Sequence, residues 1–509
     1  MSEEEKKIEE VEIVKSSHVA STDSTIEEKK IEEVLDQRYF DYAKYVIEDR
    51  AVPDIRDGLK PVHRRSLYGL YELRMFSNTP TKKCAKVTGH VMGSYHPHGD
   101  SSVYGSIIRL VQSWTMSVPL IHGQGNFGSY DGDPAAAMRY TECRLEAITE
   151  EAMLQDLDKN VVNFIPTFDD EGTEPEVLPV RFPNALVNPN SAMAVAISTD
   201  ILPHNLDECC NAALLLMETP DVSDEKLMKV LPGPDFPMGG IVVTNKPTLE
   251  GILKTGKGTI RLEAKFEEIQ VARRNGLKIT EFPYGVTKST VMSQIAEGVK
   301  KGRIDSIYRV LDESDQTGAC LILDFSKKID VSSMIVKLKS ATSLSNTYKV
   351  QMVFLVEGKV PRQLGTRDVL LHFLKFRRES VVRRTNFELK KAIDEEHMVD
   401  GLTRVFTNLD KAIAIIRSGA TLATIRNELK SAFMLDDVQC ERVLEMQLRR
   451  LSKLDENQLR ERQQALAKQI LEMQETLADS TKVDKIIRKE LLEIKRKYAT
   501  PRKTQIQIT

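Results

Sequence analysis

Apolar positions recur at helical spacing along most of the chain and give way to short alternating or continuous apolar runs only in its middle. Val103, Ile107, Leu110 and Trp114 step by three or four residues behind Asp100, which predicts a helix capped by that aspartate with one buried face. Ser101, Gly105 and Arg109 fall away from the stripe and are left to face a ligand. The runs GGIVVT, GTIRLEAKF and ACLILDF read as strands, and with amphipathic stretches such as STVMSQIAEGVKKG they make residues 159–360 an α+β domain. Beyond Arg367 the stretch DVLLHFLKFRRESVVRRTNFELKKAIDEEH, free of Pro and Gly, predicts one long charged helix, and a second runs from Asp455 to Tyr498. In the second, Leu459, Leu466, Ile470, Met473 and Leu477 step by 7, 4, 3 and 4 residues, the a/d seam of a coiled coil, so the two helices are expected to pair antiparallel. Smaller amphipathic helices between them, at about 400–454, including VQCERVLEMQLRRLSKL, read as a dimer cap. The fold class is α+β and multidomain: a disordered acidic arm at 1–33, a helical unit at 34–158, the α+β domain at 159–360, a helical stalk at 361–498 and a basic tail at 499–509.

Composition narrows the classes. A chain of 509 residues exceeds a single core, and 41% hydrophobic, 29% charged and 6% aromatic residues read as soluble and helix-rich. No apolar run reaches the roughly 18 residues of a membrane helix, and the N-terminus is acidic where a signal peptide is basic and then apolar, so a cytoplasmic protein without membrane partners is expected. Net charge is −3, so attraction to nucleic acid must rest on a local patch. The candidate is the crowding of Arg50, Arg56, Lys60, His63, Arg64, Arg65, Arg74, Lys82, Lys83 and Lys86. The cysteines, Cys84, Cys143, Cys209, Cys210, Cys320 and Cys440, form no CxxC and read as reduced structural thiols.

Several motifs carry two readings. GILKTGKG, from Gly251, matches a phosphate-binding loop except that Gly258 stands where the Mg²⁺-binding hydroxyl belongs and a strand follows in place of a helix; it reads as a β-turn. Asp131 and Asp133 form a D-x-D that is a turn or half of a metal site. His96 and His98 flank Pro97 and suit phosphate contact or packing better than a metal. The segment RAVPDIRDGLKPVHRR is either a solvated charged face or a binder of backbone phosphates. In AAAMRYTECRL, a helix-like apolar stretch, Arg139 adjoins Tyr140 and Arg144 follows. This is a packed tyrosine beside solvated arginines, or a nucleophile whose phenolate and attacked phosphate are stabilised by cations.

The motifs EDRAVPDIRDGLKPVHRR, YHPHGDSSVY, HGQGNFGSYDGDPAAAMRYTECRL, ILPHNL, LPGPDFP and LDESD, in this order, make residues 34–498 resemble the A subunits of bacterial type IIA DNA topoisomerases, gyrase and topoisomerase IV. The resemblance implies a winged-helix DNA gate, an α+β tower and a long antiparallel coiled coil ending in a helical second gate. It implies Tyr140 as nucleophile with Arg139 beside it, Arg50 and His96 as active-site helpers, and Lys60, His63, Arg64, His98 and Arg109 on DNA. Met193, in PNSAMAVA, falls where the family has an isoleucine that wedges between base steps. Ser101 matches the serine of the family's fluoroquinolone site, and Gly105 replaces its acidic partner. The implied partners are duplex DNA, a second copy of the chain and a B subunit, in an A2B2 heterotetramer whose B subunit holds Mg²⁺ and ATP; no metal site is expected on this chain. A location at the nucleoid follows. The sequence stops 11 residues after Tyr498 without the β-pinwheel of gyrase A subunits, which implies relaxation or decatenation without negative supercoiling. The alternatives are a non-cleaving DNA-binding scaffold and a truncated gyrase A subunit.

Overall fold

A computed structural model describes residues 30–271, 274–314, 318–325, 329–418, 421–445 and 453–509. Most of the expected acidic arm, residues 1–29, lies outside them, as does part of the expected cap, 446–452. The chain divides between Tyr45 and Val46. Helix α1 (Ile31–Val46), which makes up the described part of the first unit, carries Ile31, Leu35, Tyr39 and Phe40 exposed.

The second unit is a mixed α+β structure. It opens with a π-turn, Ile47–Ala51, then α2 (Pro61–Glu72), α3 (Cys84–Ser94) and α4 (Asp100–Val111). Strands β1 (Lys82–Lys83), β2 (Ile121–Gln124) and β3 (Glu142–Leu145) form a small antiparallel sheet with β3 central. Val103, Ile107 and Leu110 of α4 are buried as their spacing predicts. Two details differ. The cap is Gly99, with Asp100 as the first helical residue accepting from the Ser101 N–H, and Trp114 lies past the helix end at Gln112, outside the buried stripe.

One buried carboxylate organises the entry to α2. Asp57 is fully buried and accepts from Arg64 Nε at 2.7 Å, Arg64 Nη2 at 3.1 Å and the amides of Leu59 and Leu178, each at 3.0 Å. Gly58 follows at φ +70°, and a Cβ there would stand 2.4 Å from the Ala185 backbone, so glycine is required twice over. Pro61 then starts α2 with its φ already helical and no amide to leave unpaired.

A six-stranded sheet runs in the order Gln505–Ile508, Ile241–Thr244, Lys257–Glu263, Ser345–Gln351, Ser198–Ile201, Asn190–Met193. The GILKTGKG stretch is not a β-turn: Gly251 lies inside a helix, Lys246–Thr255, which Gly256 ends in the left-handed conformation (φ 66°) directly before the strand. A four-stranded sheet, covered by the helices Lys288–Lys300 and Val331–Ala341, has a separate core that includes Leu277, Ile279, Val291, Ile295, Leu323, Phe325 and Leu338. Residues 499–509 are not a free basic tail. Gln505–Ile508 pairs in parallel with Ile241–Thr244, anchored by the Arg502 fork on Glu208 and by the Lys503 and Thr504 amides on Asp235.

The long helix spans Thr366–Thr407, and its partner is broken into Lys453–Ala478 and Ser480–Tyr498. The pairing is antiparallel: Arg462 meets Glu395, and Arg377 meets Glu490. Leu459, Leu466, Ile470 and Met473 pack with Ala392 and Val399, whereas Leu477 lies outside that cluster. The expected single helix from 455 to 498 breaks at Asp479, whose carboxylate turns back to accept from the Thr481 amide at 2.8 Å, the competition with helical bonding that Asp offers. Past the break, Val483, Ile487, Leu491 and Ile494 leave the seam for the main core. The helices Leu409–Ser418, Leu422–Phe433 and Asp437–Leu444 surround a small core of Val405, Leu429, Phe433 and Cys440. No helix among the described residues is long and apolar enough to cross a membrane.

Removing one charge of a buried pair leaves the other uncompensated. Asp57→Asn is therefore expected to cost about 3–5 kcal/mol. Urea denaturation followed by the fluorescence of Trp114, the single tryptophan, checks this; a loss below about 1 kcal/mol, the scale of an exposed pair, refutes the central role of Asp57.

Candidate active site and nucleic-acid interface

The Ala135–Leu145 stretch is a turn followed by a strand, not a helix. Cys143 and Leu145 are buried while Glu142 and Arg144 are not, a two-residue alternation that the alanine run ahead of it obscures. Tyr140 ends the turn, its amide bonded to Ala137 O at 2.9 Å, and is 63% exposed. The Arg139 guanidinium lies 4.8 Å from the centre of the Tyr140 ring, a cation–π contact that steadies the phenol and keeps a positive charge beside it. Lys83 reaches the Tyr140 carbonyl at 3.3 Å. Arg144 is turned away, donating to Thr79 O at 2.8 Å, so it is not a second cation for the phenol.

A second group surrounds His96. Burial above all, then the charges of Arg65, His98 and Arg50, pushes its pKa down to about 4. Its Nδ1 stands 3.0 Å from Arg65 Nη1. Arginine offers donors only, so Nδ1 accepts and the ring carries its proton on Nε2. Arg65 is itself held by both Glu174 oxygens at 2.7 Å, and the His98 ring packs edge-on at 4.6 Å. Arg50 is exposed at the end of the π-turn. Arg65 was one basic residue among many in the sequence, and only the structure shows that it orients His96.

The third group heads α2. Burial and then Arg109 bring Lys60 down to about 8; burial, Lys60, Arg109 and Arg64 hold His63 well below its usual range, so it is neutral at physiological pH. Lys60 Nζ donates to Ser191 O at 2.8 Å, tying α2 to the strand that ends in Met193. Met193 is 87% exposed, which rules out a core role. Arg64 departs from the expectation that it contacts DNA: its guanidinium is buried on Asp57 and on Leu59 O.

Ser101 and Gly105 lie one turn apart on α4, both exposed, and a Cβ added at Gly105 meets nothing within 4 Å. Asp133 takes the Ser129 hydroxyl at 2.5 Å within its own loop, and Asp131 ties that loop to Lys288 of the helix Lys288–Lys300 at 3.1 Å. Among the described residues no group of three His, Cys, Asp or Glu stands where it could hold a metal ion. All six cysteines are free thiols.

The chain thus presents an exposed tyrosine under an arginine, a neutral histidine among arginines and a cationic helix start. A sequence model of the family of DNA gyrase/topoisomerase IV A subunits matches residues 50–492, and the chain belongs to that family. It is 39% identical to the chloroplastic/mitochondrial DNA gyrase A subunit of Nicotiana benthamiana over 477 residues, 93% of this chain and 51% of that one. It is 41% identical to the DNA gyrase A subunit of Clostridium acetobutylicum over 470 residues, 92% of this chain and 56% of that one. Against that of Synechocystis sp. it is 40% identical over 477 residues, 93% and 55% of the two chains. The chain thus spans about half the length of the curated relatives it matches.

His96 is expected to titrate near pH 4 with the proton on Nε2 at neutral pH, which nitrogen-detected imidazole NMR reads directly; a midpoint near 6.5 refutes the assignment. The sign follows. With the folded value depressed, the unfolded chain binds the extra proton first, so this histidine's contribution to stability is full above pH 6.5 and declines as pH falls toward 4.

Proposed function

We propose that the chain is the DNA-cleaving A subunit of an ATP-dependent type IIA topoisomerase. The observation that carries the reading is the exposed Tyr140 phenol with Arg139 stacked on its ring. Tyr140 Oη attacks a backbone phosphorus in line; the O–P bond to tyrosine forms as the bond to the 3′-oxygen breaks, leaving a 5′-phosphotyrosine and a 3′-hydroxyl. The phenol proton passes to solvent and the departing 3′-oxygen takes one up. One ester replaces another, so resealing needs no outside energy. Arg139 and Arg50 offset charge on the phosphate. His96 acts as a donor through Nε2–H, since its other nitrogen is occupied by Arg65 and its proton affinity is too low for a base at neutral pH. Lys60, His63 and Arg109 bind the duplex backbone with His98, and the exposed Met193 wedges between base steps to bend it.

Residues 34–158 serve as the winged-helix gate, 159–360 as the tower, and 361–498 as a coiled-coil stalk with a dimer cap at about 400–454. Two copies bring two tyrosines to the two strands. The family's Mg²⁺ and ATP belong to the B subunit; Mg²⁺ supplies charge stabilisation at the cleaved phosphate, and the described residues here offer no donor set for it. Working as A2B2 at the nucleoid in the cytoplasm, the assembly passes a second duplex through the break, read as relaxation or decatenation. Ser101 and Gly105 form the drug-facing surface of α4.

Incubation with plasmid, Mg²⁺ and a B subunit, followed by denaturation, is expected to leave protein covalently on DNA. Tyr140→Phe, which removes one oxygen, is expected to abolish the adduct while DNA affinity stays within about twofold, well under the 1.4 kcal/mol that makes a factor of ten. An adduct in the variant, or none with wild type, overturns the reading. Lys60 gives a pH test. Because phosphate binding requires its charged form, duplex affinity is expected to fall as pH rises through about 8 and to stay flat in Lys60→Arg, measured by fluorescence anisotropy; parallel profiles exclude Lys60 from the interface.

A further inference from the structure

The turn that presents Tyr140 is clasped from α4 by a single phenol. Tyr104 Oη lies 2.6 Å from Ala136 O and 2.7 Å from Thr141 Oγ1, one atom bridging the two ends of the segment that contains Arg139 and Tyr140. The proton positions follow from chemistry. A carbonyl only accepts, so the phenol gives its one proton to Ala136, and the Thr141 hydroxyl must donate to the phenol oxygen. Thr141 is fully buried, so its hydroxyl has no water to turn to if the phenol is lost. Three main-chain bonds complete the frame: Ala136 N to Asn126 O, Ala85 N to Met138 O and Cys84 N to Thr141 O, at 3.0, 3.1 and 3.0 Å. Of these contacts only the Tyr104 pair joins the turn to α4.

From this geometry, and resting on the cleavage reading above, we infer that Tyr104 is a positioning residue for the Tyr140 nucleophile. It acts through the Ala136 carbonyl and the Thr141 hydroxyl. Tyr104 precedes the exposed Gly105 and follows Ser101 by three residues, with Val103 and Ile107 on either side fixed in the core. The helix turn that faces a DNA groove or a drug is therefore the turn that sets the approach of the phenol to phosphorus. Such alignment bears on rate more than on affinity, because an error near 1 Å in attack geometry costs up to about 10²-fold.

The test compares wild type, Tyr104→Phe, Thr141→Ser and Thr141→Val, each assembled with Mg²⁺ and a B subunit on a duplex oligonucleotide, following adduct formation with time. Tyr104→Phe is expected to bind DNA within about twofold of wild type while cleaving about 10–100-fold more slowly. Resealing, followed with Mg²⁺ still present after a rise in salt, slows by the same factor, so the final adduct level is unchanged. Thr141→Val slows cleavage in the same direction, Thr141→Ser restores the rate, and the Tyr104→Phe/Thr141→Val double variant is no slower than Tyr104→Phe alone, because that change already removes the bond Thr141 makes. A merely structural role gives the opposite pattern, a lower final level with an unaltered rate constant, and overturns the inference. So does a wild-type rate in Tyr104→Phe. Absence of any adduct from wild type is a separate result, in which the cleavage reading fails and takes this inference with it.

Discussion

The buried pairing of Asp57 with Arg64 is the constraint on which the site is built. A carboxylate with no exposure to water is tolerable only when every lone pair is used, and Asp57 has the guanidinium fork and two amides. The same bonds fix the loop before α2 against residues 178–184, with Asn184 donating to Asp57 O at 2.8 Å. Lys60 and His63 are then half-buried and close enough to Arg109 to feel its charge, the arrangement that lowers their proton affinity. Arginine suits the internal position because its planar fork meets both carboxylate oxygens and keeps its charge, whereas lysine is the residue whose charge yields to burial.

Counting charges along the sequence overstates the basic surface. Of the residues crowded between 50 and 86, Arg56 is held by Asp54 and Glu176, Arg64 by Asp57, Arg65 by Glu174, Lys83 pairs with Glu142, and Lys82 donates to Leu73 O. Their partners lie as much as 120 positions away. The internal arginines orient histidine and loop, and the cations left outward are fewer and better placed than the raw cluster suggests.

The family and the α+β character were legible because long motifs in fixed order and clear periodicities are local properties of the chain. So were the buried face of α4, the seam from Leu459 to Met473 and the free state of the thiols. What escaped depended on distant partners or on a short pattern beside a stronger one. The alternation of Glu142 to Leu145 is four residues long and follows an alanine run that favours a helix by propensity. Residues 499–509 read as a basic tail because the strand partner of Gln505–Ile508 is Ile241–Thr244, far back in the sequence. Asp479 looked like one more charged position in a helix, and only its bond to the Thr481 amide shows the stop. The two hydroxyl contacts of Tyr104 had no sequence signature, since a tyrosine beside a core valine reads as filler until its hydroxyl is placed.

That stop has a mechanical consequence. The two rods of the antiparallel pair differ in continuity: one runs unbroken through 42 residues, while the other is 26 residues hinged to a segment of 19 sunk in the core. At 1.5 Å per residue the outer rod is about 39 Å long, so a tilt of only 10° about the joint carries its tip roughly 7 Å. The unbroken rod carries load along its whole length, whereas the other passes it across the Asp479 joint, which the Lys482–Glu475 ion pair spans. Rods packed side by side resist bending most in the plane that contains both, where one must stretch as the other shortens, so the break at Asp479 takes stiffness chiefly from that plane.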